Sequence, residues 1–262
     1  MCTVTIVPLP PAVGGGFRFA CNRDELRTRT TALPPRAVRA GGREAVHPVD
    51  ADAGGTWIAV NDAGLALSLL NLNPPPFAPP PPHRGASRGA IIPGLLHHAS
   101  VAAALSDVLA VDPAAQRPFR LVIADRDERA LVRSDGRTVE LVVREPQHGP
   151  FLATSSGLGD HLVEGPRREH FERTFAGPPS DPAMAQDAYH RTHWPDRGHL
   201  SVSMARPDAV THSHTVIRVD EDGVELVYRD GAPHLAVAAA GPGRPAGRSR
   251  RHRLPARTRT AG

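Results

Sequence analysis

Two cysteines stand in this chain, Cys2 and Cys21, and the first directly follows Met1. A side chain as small as that of Cys2 permits excision of the methionine. The freed α-amine, with a pKa near ~7.7–8.0, can then take the thiol proton, so nucleophile and base would share one residue. A thiolate attacks carbonyl carbon readily. Further along stands Asn22-Arg23-Asp24-Glu25. An arginine beside a thiolate holds developing negative charge, and an aspartate orients an amine. The simpler alternatives are an ordinary residue near a chain end and a charged hairpin end in water.

What brings the two segments together is a predicted hairpin. Thr3 to Leu9 alternates and is β-branched, Pro10 to Gly16 is turn material, and Phe17 to Cys21 is extended again. Symmetric pairing about Val13 sets Cys2 opposite Asp24, within a residue or two. A second hairpin runs from Trp57 to Val60, turns through Asn61-Asp62-Ala63-Gly64 and returns over Leu65 to Asn71. Seven prolines between Pro74 and Pro82 make a stiff loop. Helices are predicted over Ser87 to His98, from a cap at Ser100, from Pro166 as first helical residue to Gly177, and over Pro182 to Thr192. Strands are predicted over Arg120 to Ala124, Ala130 to Ser134, Thr138 to Val143, Phe151 to Thr154, Ser201 to Met204, Thr215 to Val219 and Val224 to Tyr228. Hairpins dominate this order, which excludes an alternating, doubly wound parallel sheet and favours two antiparallel sheets with helices outside.

These motifs, in this order, resemble the NRDE family, also called the Transport and Golgi Organisation 2 family. The resemblance rests on Met1-Cys2-Thr3, Asn22-Arg23-Asp24-Glu25, Gly54-Gly55-Thr56-Trp57-Ile58-Ala59-Val60-Asn61 with Gly64-Leu65-Ala66, Leu70-Asn71 and Ser87-Arg88-Gly89. It is strong over residues 1–98 and traceable to Asp230-Gly231-Ala232-Pro233. The family is similar to the cholylglycine hydrolase and penicillin V acylase branch of N-terminal nucleophile hydrolases. The resemblance therefore implies an α+β fold, a four-layer αββα sandwich of two antiparallel sheets, and Cys-dependent hydrolysis or acyl transfer at a linear, non-peptide amide. Carried over, Cys2 is nucleophile and base, Arg23 and Asp24 are supporting charges, and Asn71 is an oxyanion donor. Ser155 stands in Thr154-Ser155-Ser156 where the acylases have Thr-Asn-Ser, replacing an amide with a shorter, rotating hydroxyl. Losing one oxyanion donor typically costs ~10²–10³ in rate. The resemblance also implies a different class of function, a carrier without fast chemistry for haem or an acyl lipid, because relatives are linked to haem trafficking. A scaffold using the proline loop and the tail is a third.

Composition trims these readings. All 31 basic residues are arginine, which excludes Schiff-base and lysine-base chemistry. Seven of them lie between Ala238 and Gly262, where no acid occurs; the rest of the chain holds 24 against 27 acids. One domain over 1–237 and a disordered, Arg-rich tail over 238–262 are expected, with no specific nucleic-acid partner for the body. With two cysteines and no signal-peptide pattern or apolar run long enough to span a membrane, a reduced, cytoplasmic protein is expected. Fourteen histidines make no zinc pattern. His97-His98, and His212 with His214 on one strand face, are expected as surface residues. No metal or cofactor is called for. The small-molecule ligand is an amide for the enzyme, haem or an acyl lipid for the carrier.

Overall fold

The computed structural model describes residues 1–73, 87–177, 179–238 and 249–255. The expected proline loop lies outside them. In chain order the first six strands are β1 (Cys2–Pro8), β2 (Phe17–Leu26), β3 (Leu33–Ala40), β4 (Arg43–Val49), β5 (Ile58–Asn61) and β6 (Ala66–Asn71). Helices α1 (Ile91–Leu95) and α2 (Val101–Leu109) follow, then β7 (Phe119–Ala124), β8 (Glu128–Ser134), β9 (Val139–Pro146) and β10 (Phe151–Thr154). After α3 (Asp160–Thr174) and α4 (Pro182–Arg191) come β11 (Ala209–Asp220), β12 (Gly223–Asp230), α5 (Pro233–Ala238) and β13 (Ser249–Pro255).

The strands form two sheets, ordered β10-β1-β2-β11-β12-β13 and β3-β4-β5-β6-β7-β8-β9, with every pair antiparallel. Alternation gives each sheet two apolar faces. The inner faces meet through Val4, Ile6, Phe17, Phe19, Val60, Leu70, Val122 and Ile217. On the outside of the second sheet, Leu67, Leu121 and Ile123 pack on Ile92 of α1 and Leu105 and Val108 of α2. On the outside of the first, Phe171 of α3 and Tyr189 of α4 close over Leu152. The result is the αββα sandwich. The expected caps form: Ser100 Oγ accepts from Ala103 N–H, and Asp181 caps α4 with Pro182 as its first residue.

Four differences from expectation have physical causes. The first hairpin slips by one residue, so Cys2 faces Arg23 rather than Asp24; its turn is a short helical segment, Pro11–Val13, followed by three glycines with positive φ. β3 and β4 were hidden by Pro34, Pro35 and Pro48; β3 is an edge strand, where missing N–H donors are tolerated. α3 begins at Asp160 and runs through Pro166, its first turn secured by Asp160, which accepts from Ser156 N–H at 2.8 Å and Asn73 N–H at 2.9 Å. Ser201 to Met204 is no strand. Two of its carbonyls are taken by side chains instead, Val202 O by Asn22 and Ser201 O by Arg167.

Within the tail expected to be disordered, residues 249–255 form a strand. Ser249–Pro255 pairs with β12 from Gly223↔Pro255 to Arg229↔Ser249, and Leu254 is buried in the inter-sheet core. An open sheet edge invites a strand, and alternation lets one apolar residue enter while the arginines stay in water. Arg251 and Arg253 both reach Glu225, at 3.5 and 2.9 Å. No helix among the described residues is long and apolar enough to cross a membrane.

Candidate active site

β1 is the second strand of its sheet, hydrogen-bonded on both sides, so its first residue is fixed from two directions. Thr3 pairs with Asn22 of β2 and with Thr154 of β10. Ser155 N–H donates to Cys2 O at 2.9 Å, and Asp24 N–H donates to Met1 O at 2.7 Å. The Cys2 side chain is 2% exposed and faces inward, at the floor of a cavity of about 440 Å³ between the sheet ends. Met1, Arg23, Glu25, Arg29, Asp50, Trp57, Asn71, Arg88 and Arg117 also line it.

The one-residue slip decides which charge meets the thiol. Successive side chains in a strand point to opposite faces. Arg23, directly opposite Cys2, shares its face. Its guanidinium lies 4.4 Å from the centre of the Trp57 ring and 2.9 Å from Asp50. Asp24 goes to the other face, where Thr211 Oγ1 donates to it at 2.6 Å and Arg167 lies 3.8 Å away. Burial pushes the Asp24 pKa up, against the pull of Arg167 and of the Thr211 hydrogen bond. Asn71, at the end of β6, lies in the cavity wall, and its side chain makes no hydrogen bond to another described residue. Ser155 is elsewhere. It is fully buried, and its Oγ accepts from Cys2 N–H at 3.1 Å. The expected oxyanion donor is therefore placed against the nitrogen of Cys2 and not in the cavity.

Cys21 lies on the same inner face as Cys2, two residue pairs along the hairpin. A hydrogen bond from the Cys21 thiol lowers the Cys2 pKa, with help from the chain's terminal ammonium and Arg23, against burial and Asp24. Burial, reinforced by the same hydrogen bond, drives Cys21 well up. Cys2 should thus be alkylated by iodoacetamide at least about tenfold faster than Cys21 at pH 7.5, because the thiolate is the reacting form. Peptide mapping after timed alkylation measures both rates; equal rates, or a faster Cys21, would remove Cys2 as the functional thiol.

Two features were not legible as site residues. Arg167 of α3 is 1% exposed, and its guanidinium donates to Thr3 Oγ1 at 2.8 Å, Thr154 Oγ1 at 2.7 Å, Leu200 O at 3.0 Å and Ser201 O at 2.8 Å. It ties together the strands that carry Cys2 and Ser155. The second is a crossing of two family blocks. Thr56 N–H donates to Gly89 O at 3.1 Å, and a Cβ on Gly55 would come within 2.5 Å of Gly89 Cα. Only two glycines allow backbones this close, and the crossing puts Arg88 on the cavity wall. His214, expected at the surface, is buried and hydrogen-bonded to Asn22 at 2.8 Å; across a bulge between Thr211 and Ser213, His212 is half-buried, with its Nε2 3.1 Å from Leu26 O. His97, His98 and Asp107 form an exposed cluster, with His98 Nε2 2.7 Å from Asp107.

Two antiparallel sheets stacked face to face, helices outside, and a cysteine opening an inner strand define a fold of the N-terminal nucleophile hydrolase type. The chain belongs to the Transport and Golgi organisation 2 family, whose model matches residues 1–175. Among solved structures, the chain is similar to the Caenorhabditis elegans ortholog of N-acylethanolamine-hydrolyzing acid amidase. Identity is 13%, the TM-score 0.52, and the match covers 82% of this chain and 92% of that one. A variant of conjugated bile acid hydrolase from Clostridium perfringens also matches, at 13% identity and a TM-score of 0.47, over 86% and 89% of the two chains. At 13% identity the likeness to the amidase concerns the fold alone. No curated protein matches.

Proposed function

We propose that this protein is a Cys2-dependent amidohydrolase or acyltransferase acting on non-peptide amides in the cytoplasm. The observation that carries the reading is the position of Cys2: a thiol of lowered pKa on the floor of a cavity of about 440 Å³, opposite Arg23. Such a volume suits a small ligand. In support, a neighbour of the same fold hydrolyses N-acylethanolamines by its description.

Met1 excision turns Cys2 N into an amine beside Ser155 Oγ, which now accepts from it. That amine takes the thiol proton. The thiolate adds to the amide carbon, and the C=O electron pair moves onto oxygen, where Asn71 Nδ2 donates to it. The tetrahedral intermediate collapses, the C–N bond breaks, and the Cys2 ammonium protonates the departing amine. Water then cleaves the thioester, releasing the acid and restoring the thiol. Arg23 stabilises the thiolate, and Ser155 orients the amine.

A panel of fluorogenic N-acyl amides tests this on wild type, Cys2→Ala and Asn71→Ala. Wild type is expected to turn over at least one; Cys2→Ala should turn over none, and Asn71→Ala should lose ~10²–10³ in kcat. Equal rates in wild type and Cys2→Ala would end the hydrolase reading. A carrier for haem or an acyl lipid would then take its place. For haem, the described lining offers no histidine; among the described residues the sulfur of Cys2, and that of Met1 where it is retained, would be the ligands.

A further inference from the structure

We infer that Arg88, with Arg117 beside it, forms an anion subsite in the cavity wall, so that the amide handled at Cys2 carries a carboxylate. The inference deepens the hydrolase reading by naming its substrate class, and it rests on that reading only for the fate of the amide.

The cavity is lined by four arginines, Arg23, Arg29, Arg88 and Arg117, and by two carboxylates, Glu25 and Asp50. Both carboxylates are engaged on one side. Asp50 binds Arg29 at 2.7 and 2.8 Å and Arg23 at 2.9 Å, and Glu25 lies 3.4 Å from Arg23. Arg88 is differently placed. It is half-buried, donates one bond to Pro118 O at 2.9 Å, and has no carboxylate within ion-pair distance among the described residues. A guanidinium has five N–H donors, so most of its fork is left for the cavity.

Two neighbours of Arg88 sharpen the point. Burial and the charge of Arg117 both disfavour its charged form, and Glu25 and Cys2 only partly offset them. A half-buried guanidinium with a second cation near it is stabilised by an anion, and its planar fork matches a carboxylate in two-point fashion. Stabilising the thiolate does not call for this pair, because Arg23 already stands opposite Cys2. The backbone crossing of Gly55 and Gly89 fixes Arg88 in the wall of the cavity that Cys2 also lines. A neutral amide would offer the open side of the Arg88 fork no counter-charge.

Calorimetric binding to Cys2→Ala, where hydrolysis is absent, separates this inference from the catalytic reading. The probes are two carboxylates, N-octanoyl-β-alanine and N-octylsuccinamic acid, which carry the charge on the amine and acyl sides. Their neutral counterparts are N-octanoyl-3-aminopropanol and N-octyl-4-hydroxybutanamide. At least one carboxylate should bind roughly tenfold or more tightly than its counterpart. Adding Arg88→Gln should bring that ratio close to one, and Arg88→Lys should keep part of it. Carboxylates binding no tighter than the neutral probes would overturn the subsite. So would a preference that survives Arg88→Gln in a protein whose circular dichroism is unchanged. A preference for carboxylates in a wild type that hydrolyses nothing supports the subsite and removes only the hydrolase.

Discussion

Replacing Arg167 with methionine should lower the stability of the folded chain by about 3–5 kcal/mol, the range for removing one partner of a buried charge network. Methionine keeps much of the volume, so the loss reports electrostatics more than a cavity. It leaves Asp24, 2% exposed, without its cation. It also strips donors from Thr3 Oγ1, Thr154 Oγ1, Leu200 O and Ser201 O. For a domain of this size, that corresponds to a fall in Tm of roughly 10 °C. Asp24→Asn in the same chain should recover part of the loss, since the orphaned carboxylate is then gone. Denaturant midpoints for the two single variants and the double variant give the coupling. Strict additivity would show that Arg167 and Asp24 do not act on one another.

Acid should begin to destabilise the protein from about pH 6.5 downward, before carboxylates titrate. His214 is buried, and desolvation, with Arg18, Arg229 and Arg191 adding to it, lowers its pKa to about 3. Beside it, 5.1 Å between ring centres, burial and the charge of His214 drive His190 well below the ordinary range. The network around them is built for neutral rings. Asn22 Nδ2 donates to His190 O and Val202 O, so its Oδ1 must accept from His214 Nδ1–H. His190 Nε2 shares a bond with Thr5 Oγ1, at 2.8 Å. Between pH 6.5 and about 3 the unfolded chain binds a proton that folded His214 refuses, so stability falls as pH falls through that window and is intact above it. At pH 4.5, two pH units below the unfolded pKa, His214 alone costs about 2–3 kcal/mol. Urea denaturation at pH 7.5 and 4.5 reads this directly. His214→Gln should shrink the difference by about that amount; an unchanged difference would show that His214 does not carry it.

How much of this was readable beforehand varied with the physics behind each feature. Alternating β-branched runs with glycine turns announced β1, β2, β5 and β6, and hence a cysteine fixed at the start of an inner strand. The register was not readable, because it depends on how many residues the Pro11–Val13 segment consumes. A slip of one moved Asp24 from the thiol's face to the opposite one. Prolines hid β3 and β4, since a sequence does not say which strand will lie at an edge. Tail composition suggested disorder, yet one leucine and one open edge suffice to place Ser249–Pro255. Arg167 looked like any of the other arginines, and Arg88 stood out only as part of the Ser87-Arg88-Gly89 block, with no role attached. Their weight comes from long-range placement, Arg167 beneath strands far away in the chain and Arg88 through the meeting of Gly55 and Gly89.

The central claim, that Cys2 is an acyl-accepting nucleophile at the cavity floor, is tested most directly by intact-protein mass spectrometry after a short exposure to p-nitrophenyl octanoate. The chain is expected to lack Met1 and to gain a single octanoyl group. Peptide mapping should place that group on Cys2, and neutral hydroxylamine should release it as a thioester. A protein that keeps Met1 and takes up no acyl group, or takes it up on Cys21, would contradict the account.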